Sequence, residues 1–138
     1  MGLNRDALAA AAAAVFLTLA VALIPTLGLQ NDEALFANGL YPPVTVADSL
    51  ATPAGEIPLM LVSYTGSLKT WLFALVFAFF EPSVWSIRLP VALLGAATVA
   101  IFVRQTARTS GALAGSVGAG LLATDPAFLL TVCFDWGP

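Results

Sequence analysis

Histidine is absent from these 138 residues, and cysteine occurs once, as Cys133. The first absence excludes a catalytic imidazole and a His-ligated zinc centre within the chain. The second excludes an intrachain disulfide framework. Charge is scarce too. Lys and Arg number 5 and Asp and Glu number 8, so charged residues make up 9% of the chain. An average soluble domain carries roughly 25%. So few charges cannot coat a globular surface, and the apolar excess must face lipid. Five scattered basic residues make no patch for a polynucleotide, which argues against nucleic acid as a partner. What is present is apolar: 59% of the residues are hydrophobic and the mean hydropathy is +0.94. That composition excludes a disordered chain.

Four apolar segments stand out. Ala7 to Leu29 holds no charged residue over 23 positions, and a span needs about 20. A cleaved signal peptide has an apolar core of about 7–15 residues, so this longer stretch reads as a retained membrane helix. Thr70 to Phe80 is shorter, between Lys69 and Glu81-Pro82, and reads as an interfacial or re-entrant helix with Trp71 and Trp85 at headgroup level. Leu89 to Val103 lies between Arg88 and Arg104. Snorkelling arginines and Val84–Ile87 extend it to a full span. Ala112 to Thr124 follows a polar hinge, Arg104 to Gly111. It carries two small-xxx-small pairs, Gly111 with Gly115 and Ser116 with Gly120, a spacing that marks a helix-packing face in lipid. Asp125-Pro126 then reads as an N-cap with proline at the first helical position, opening a short helix.

The expected fold class is therefore an all-α polytopic membrane protein. It has about three transmembrane helices (7–29, 84–104 and 111–125), a juxtamembrane helix at 70–80, a long first outer loop at 30–69, and the start of a second outer loop at 126–138. Loop charges favour three crossings over four. Three crossings put Arg5, Arg104 and Arg108 inside and Lys69 and Arg88 outside, in line with the positive-inside rule, with the N-terminus cytoplasmic. The sequence starts at Met1 and ends at Phe-Asp-Trp-Gly-Pro without a polar tail, which reads as the front of a longer membrane protein.

Three crossings also put the acidic pair Asp32-Glu33 and the acid Asp135 on one side of the membrane, where they can share a site. A carboxylate at the bilayer surface can act as general base on an acceptor hydroxyl or amine. It can equally be a solvated boundary residue. Asp135 sits beside aromatics in Cys133-Phe134-Asp135-Trp136-Gly137, and an interfacial acid in such company is a functional candidate. Asp32 and Asp135 could together bind a divalent cation through oxygen, although nothing in the pattern demands a metal cofactor. Lys69 and Arg88 are the basic residues of the outer face. Each is either an interfacial anchor or a holder of a lipid-linked phosphate. The breaker-rich segment Tyr41 to Gly66 lacks helical periodicity and is too apolar for a solvated linker. It is expected to lie on the membrane surface as a loop with short helical turns.

In order along the chain, these features resemble the N-terminal part of the GT-C superfamily of polytopic glycosyltransferases, most closely the protein O-mannosyltransferase and aminoarabinose transferase branch. A first span is followed by Asn31-Asp32-Glu33-Ala34-Leu35-Phe36. Next comes Tyr64-Thr65-Gly66-Ser67-Leu68-Lys69-Thr70-Trp71-Leu72-Phe73, running into a short juxtamembrane helix. Val84-Trp85-Ser86-Ile87-Arg88-Leu89-Pro90 is similar to the family's Arg-Leu-Pro at the start of the second span. Leu121-Leu122-Ala123-Thr124-Asp125-Pro126-Ala127-Phe128 looks like its exit from the third, and the acid Asp135 follows. The resemblance implies sugar transfer, with inversion, from a polyprenyl-phosphate donor to an acceptor at the outer face. It implies Asp32 as catalytic base with Glu33 beside it, and Asp135 as the second acidic site, which in some members helps bind a metal ion. Lys69 lies near the family's basic-Pro-Pro-Leu motif, but the Pro-Pro is absent here. Family members carry more spans than these residues hold, so activity is expected of a longer chain, in a bacterial inner membrane. The competing readings are a non-catalytic helical scaffold or assembly module, and a transporter fragment. No span carries a mid-depth charge of the kind ion-coupled carriers use, which counts against the transporter.

Overall fold

A computed structural model describes residues 4–41, 46–53 and 55–133. The elements in chain order are α1 (Arg5–Leu23), a 3₁₀ turn (Ile24–Thr26), α2 (Asn31–Asn38), β1 (Asp48–Thr52), β2 (Gly55–Val62), β3 (Thr65–Gly66), α3 (Leu68–Phe77), α4 (Val84–Thr109), α5 (Ala112–Ala123) and α6 (Pro126–Cys133). The chain is mostly helical. The elements form two units. Among the described residues, one is built from 4–27 and 88–133; the other is Gly28–Ile87.

In the first unit, α1 with its 3₁₀ turn and α4 are each long and apolar enough to cross a membrane. Pro25 ends α1 early: it has no N–H to continue the ladder, so the chain tightens into the 3₁₀ turn and leaves the helix at Leu27. At the other helix, the expected polar hinge from Arg104 is not a break. α4 continues to Thr109, because Arg, Gln and Ala are good helix formers and polarity ends the apolar run, not the helix. The third expected span, 111–125, is also shorter than anticipated. α5 has 12 residues, and α6 follows at a bend of 52°, so the pair forms either one broken span or a re-entrant loop. Asp125 does cap α6 as expected: its Oδ2 accepts the Phe128 N–H at 2.7 Å, with Pro126 at the first helical position. α6 is the short helix expected after Asp125-Pro126, within the stretch 126–138 read as the start of the second outer loop; it packs against α1 with Leu129, Val132 and Cys133 buried.

The helices of this unit meet through small residues. Ala9, Ala12, Phe16 and Ala20 line the buried face of α1; Ala92, Gly95, Ala96, Val99, Val103 and Ala107 line that of α4; Gly115, Ala119 and Ala123 line that of α5. Large apolar side chains point the other way: Leu19, Leu94, Ile101, Leu113 and Leu121 are exposed. A water-soluble bundle has the opposite arrangement. Small residues inside and large ones outside is how helices pack when the surroundings are as apolar as the interior.

Of the two small-xxx-small pairs, only one residue is at a close approach. A Cβ on Gly115 would lie 2.7 Å from the Ala107 Cβ and 3.1 Å from its Cα, whereas one on Gly120 would meet nothing within 4 Å. Gly111 has φ +93° and starts α5, and Ser116 is exposed. The packing face is thus Gly115-Ala119-Ala123. Gly115→Ala should destabilise the protein by about 1–3 kcal/mol, because the backbone of Ala107 cannot give way. Gly120→Ala should be neutral or stabilise by up to about 1 kcal/mol through helix propensity. Unfolding midpoints in a detergent–SDS titration check both; equal midpoints for the two variants would contradict this packing.

The second unit departs from the expected all-α class. Within the predicted outer loop 30–69 it contains α2 and a three-stranded antiparallel sheet in the order β1-β2-β3. Pro58 lies in the central strand, where proline is rare. It is tolerated because β3 pairs only with Met60 and Val62, so this stretch of β2 has a neighbour on one side, at Ser49. The Pro58 carbonyl is left to accept from Trp71 Nε1 at 2.8 Å and from Ser67 Oγ. α3 is thereby fastened to the sheet, two residues longer at its start than the expected helix 70–80 and three shorter at its end. A small core of Phe36, Ala37, Leu61, Phe73 and Ile87 closes the unit. The outward face of α3 is apolar, with Leu68, Trp71, Leu72 and Leu75 exposed at helical spacing. At about 15 Å this helix is half a bilayer core long, too short to cross one.

Candidate functional site

The acidic pair falls on the first turn of α2, immediately after the chain leaves the first membrane-length helix. Carboxylates there are favoured by the positive end of the helix dipole. Helical geometry separates the two. Glu33 is fully buried, and its Oε2 accepts the backbone N–H of Gln30 at 2.9 Å, a capping interaction that fixes the start of α2. Asp32 is exposed. The motif Asp-Glu therefore yields one carboxylate that organises the turn and one that faces outward.

Lys69 stands at the start of α3, half-buried, with its Nζ 4.7 Å from the centroid of the Phe36 ring. That is cation–π distance. Beside it, the buried Thr70 hydroxyl donates to the Phe36 carbonyl at 2.9 Å. Phe36 lies one turn beyond Glu33, so α2 and α3 are tied together by two contacts to the same residue. This ordering of Lys69 has no signature in the sequence, because it depends on a ring 33 positions away.

Arg88 was expected at the outer interface as a snorkelling anchor or phosphate holder. It is instead fully buried. Its Nη1 donates to the carbonyls of Ile24 at 2.9 Å and Leu27 at 2.8 Å. These carbonyls belong to the turn that ends α1, where Pro25 has interrupted the ladder. In an apolar medium an orphaned carbonyl costs several kcal/mol, so a buried guanidinium is a strong partner for two of them. Thr26 Oγ1 donates to the Leu23 carbonyl at 2.7 Å, and Cys133 Sγ lies 3.6 Å from that of Ala20. Three side chains thus finish the C-terminal end of α1.

Asp135, the second acidic site, lies outside the described residues, and so does the proposed cation pair of Asp32 with Asp135. Among the described residues, no three Cys, Asp or Glu side chains converge on a point that could hold a metal ion.

At the far end of the first unit is a second polar cluster. Arg104 Nε lies 2.9 Å from Asp6 Oδ1, and Asn4, Arg5, Asp6, Arg104 and Arg108 line one open cleft. The start of α1 and the end of α4 are therefore together. No family model matches this chain, and neither does a curated protein or a solved structure.

Proposed function

We propose that these residues form the first part of a polytopic membrane glycosyltransferase of the GT-C type, which transfers a sugar from a polyprenyl-phosphate donor to an acceptor at the outer face of a bacterial inner membrane. The observation that carries the reading is the division of labour in Asp32-Glu33. A buried glutamate pins the first turn of the helix that follows a membrane-length span in the chain, and the aspartate beside it is left exposed. That is where a base must sit to meet a lipid-linked donor and a water-borne acceptor.

In this reading Asp32 accepts the proton of the acceptor nucleophile. The freed lone pair attacks the anomeric carbon, the bond from that carbon to the phosphate oxygen breaks, and polyprenyl phosphate leaves. A single displacement inverts the configuration. Lys69 is the cation best suited to the departing phosphate, as a point charge held over Phe36. Arg88, with its bonds to Ile24 and Leu27, is assigned to holding the end of the first span. Asp135 keeps the second acidic position that the resemblance implies. The full reaction belongs to a chain with further spans.

The topology proposed is three crossings, the third made by α5 with α6. The pairing of Asp6 with Arg104 supports it: if α1 and α4 both cross and the start of one adjoins the end of the other, 28–87 leaves and re-enters on one side. Single cysteines at Ser63 and Thr109, in a Cys133→Ala background, should therefore react with an impermeant maleimide from opposite sides of sealed vesicles. Reaction of both from one side would refute three crossings.

A further inference from the structure

The cleft at the start of α1 has no part in the chemistry above. Its volume is about 380 Å³, and it is lined by Asn4, Arg5, Asp6, Arg104 and Arg108. Three guanidinium groups face one carboxylate there, which leaves a net charge of +2. Arg104 and Arg108 stand one helical turn apart on α4, so both forks point along the same face.

That face continues away from the cleft. Leu94, Ala97, Ile101, Arg104 and Arg108 follow one another at three- and four-residue steps and are all exposed; Ile101 is 69% exposed and Leu94 64%. The stripe is apolar for two turns and then ends in two arginines, at the end of a helix long enough to cross a bilayer. An amphiphile with an anionic head and hydrocarbon tails matches it in both chemistry and depth. Arginine forks take phosphate oxygens two at a time, and basic pockets between membrane helices select anionic headgroups.

We propose that this cleft is a binding site for an anionic phospholipid, with its phosphate held by Arg104, Arg108 and Arg5 and an acyl chain along Leu94, Ala97 and Ile101. Asp6 is the built-in competitor: its carboxylate occupies Arg104 at 2.9 Å and weakens the site for any anion. A free phosphate shares the head chemistry but would gain nothing from the apolar stripe. The site depends on α1 and α4 lying in a bilayer, and is independent of sugar transfer.

Native mass spectrometry of the chain in a neutral detergent tests this, with phosphatidylglycerol, phosphatidylcholine and glycerol 3-phosphate titrated separately. Phosphatidylglycerol should bind, and the other two should bind at least about tenfold more weakly. The double variant Arg104→Gln, Arg108→Gln should lose on the order of twentyfold in phosphatidylglycerol affinity, from about fivefold per arginine. Asp6→Asn should gain a few-fold, an increase that a misfolded protein cannot give. Equal retention of phosphatidylglycerol and phosphatidylcholine overturns the proposal, as does an Asp6→Asn affinity at or below that of the wild type. Binding of glycerol 3-phosphate as tight as that of the lipid overturns the lipid assignment in favour of a soluble phosphate site.

Discussion

Asp32→Asn in the complete natural protein should lower the rate of sugar transfer by about 10²–10⁴-fold, the range a positioned general base contributes. Membrane abundance should stay at the wild-type level. The reason lies in where the side chain sits. Asp32 is exposed, and the cap that fixes its helix is made by Glu33 on the Gln30 N–H. The substitution removes a charge from the first turn of α2, a loss of about 0.5 kcal/mol in helix-dipole interaction. A fall in transfer without a fall in abundance thus separates chemistry from folding. Turnover at the wild-type rate would remove Asp32 from the mechanism. A scaffold or assembly module, the competing reading, tolerates this change.

Arg88→Leu should have the largest effect on stability. Both of its described bonds are charge-assisted, the one to Ile24 buried and the one to Leu27 part-buried, and each is worth about 1.5–3 kcal/mol. Removing the guanidinium leaves the Ile24 and Leu27 carbonyls without that donor, at the point where Pro25 has already broken the helix. A loss of about 3 kcal/mol or more is expected, read as a lower midpoint in a detergent–SDS unfolding titration. Thr26→Val is the contrast. It removes one exposed hydroxyl bond to the Leu23 carbonyl and should cost about 1 kcal/mol or less. If Arg88→Leu unfolds at the wild-type midpoint, the guanidinium does not secure the end of α1.

The parts of this structure that were legible in the sequence are those set by composition over a long window. α1 announces itself as a charge-free run of bilayer length, α4 as an apolar run bounded by Arg88 and Arg104, and α6 by the Asp125-Pro126 cap. The sheet in 48–66 was not legible. Pro53, Gly55 and Pro58 signal breaks, and Pro58 falls in a central strand that only a truncated β3 makes possible. Strand pairing is a long-range fact, and no local pattern encodes that β3 stops short. The candidate site divides the same way. Asp32-Glu33 stood out as a motif, but the burial of one acid and exposure of the other follows from helix register. Arg88 reads as a surface anchor because arginine at the end of an apolar run usually snorkels. Here Pro25, over 60 positions earlier, leaves carbonyls that draw it inward. Arg5, Arg104 and Arg108 are legible as inside charges, but their meeting with Asp6 in one cleft depends on how α1 packs beside α4.

The most direct test of the glycosyltransferase reading is donor consumption. Membranes carrying the complete natural protein would be supplied with a panel of radiolabelled undecaprenyl-phosphate hexoses and pentoses, and release of undecaprenyl phosphate would be followed together with the anomeric configuration of the product. At least one donor should be consumed faster than in membranes lacking the protein, with inversion at the anomeric carbon. Consumption no faster than that background for every donor, or a product of retained configuration, would contradict that reading.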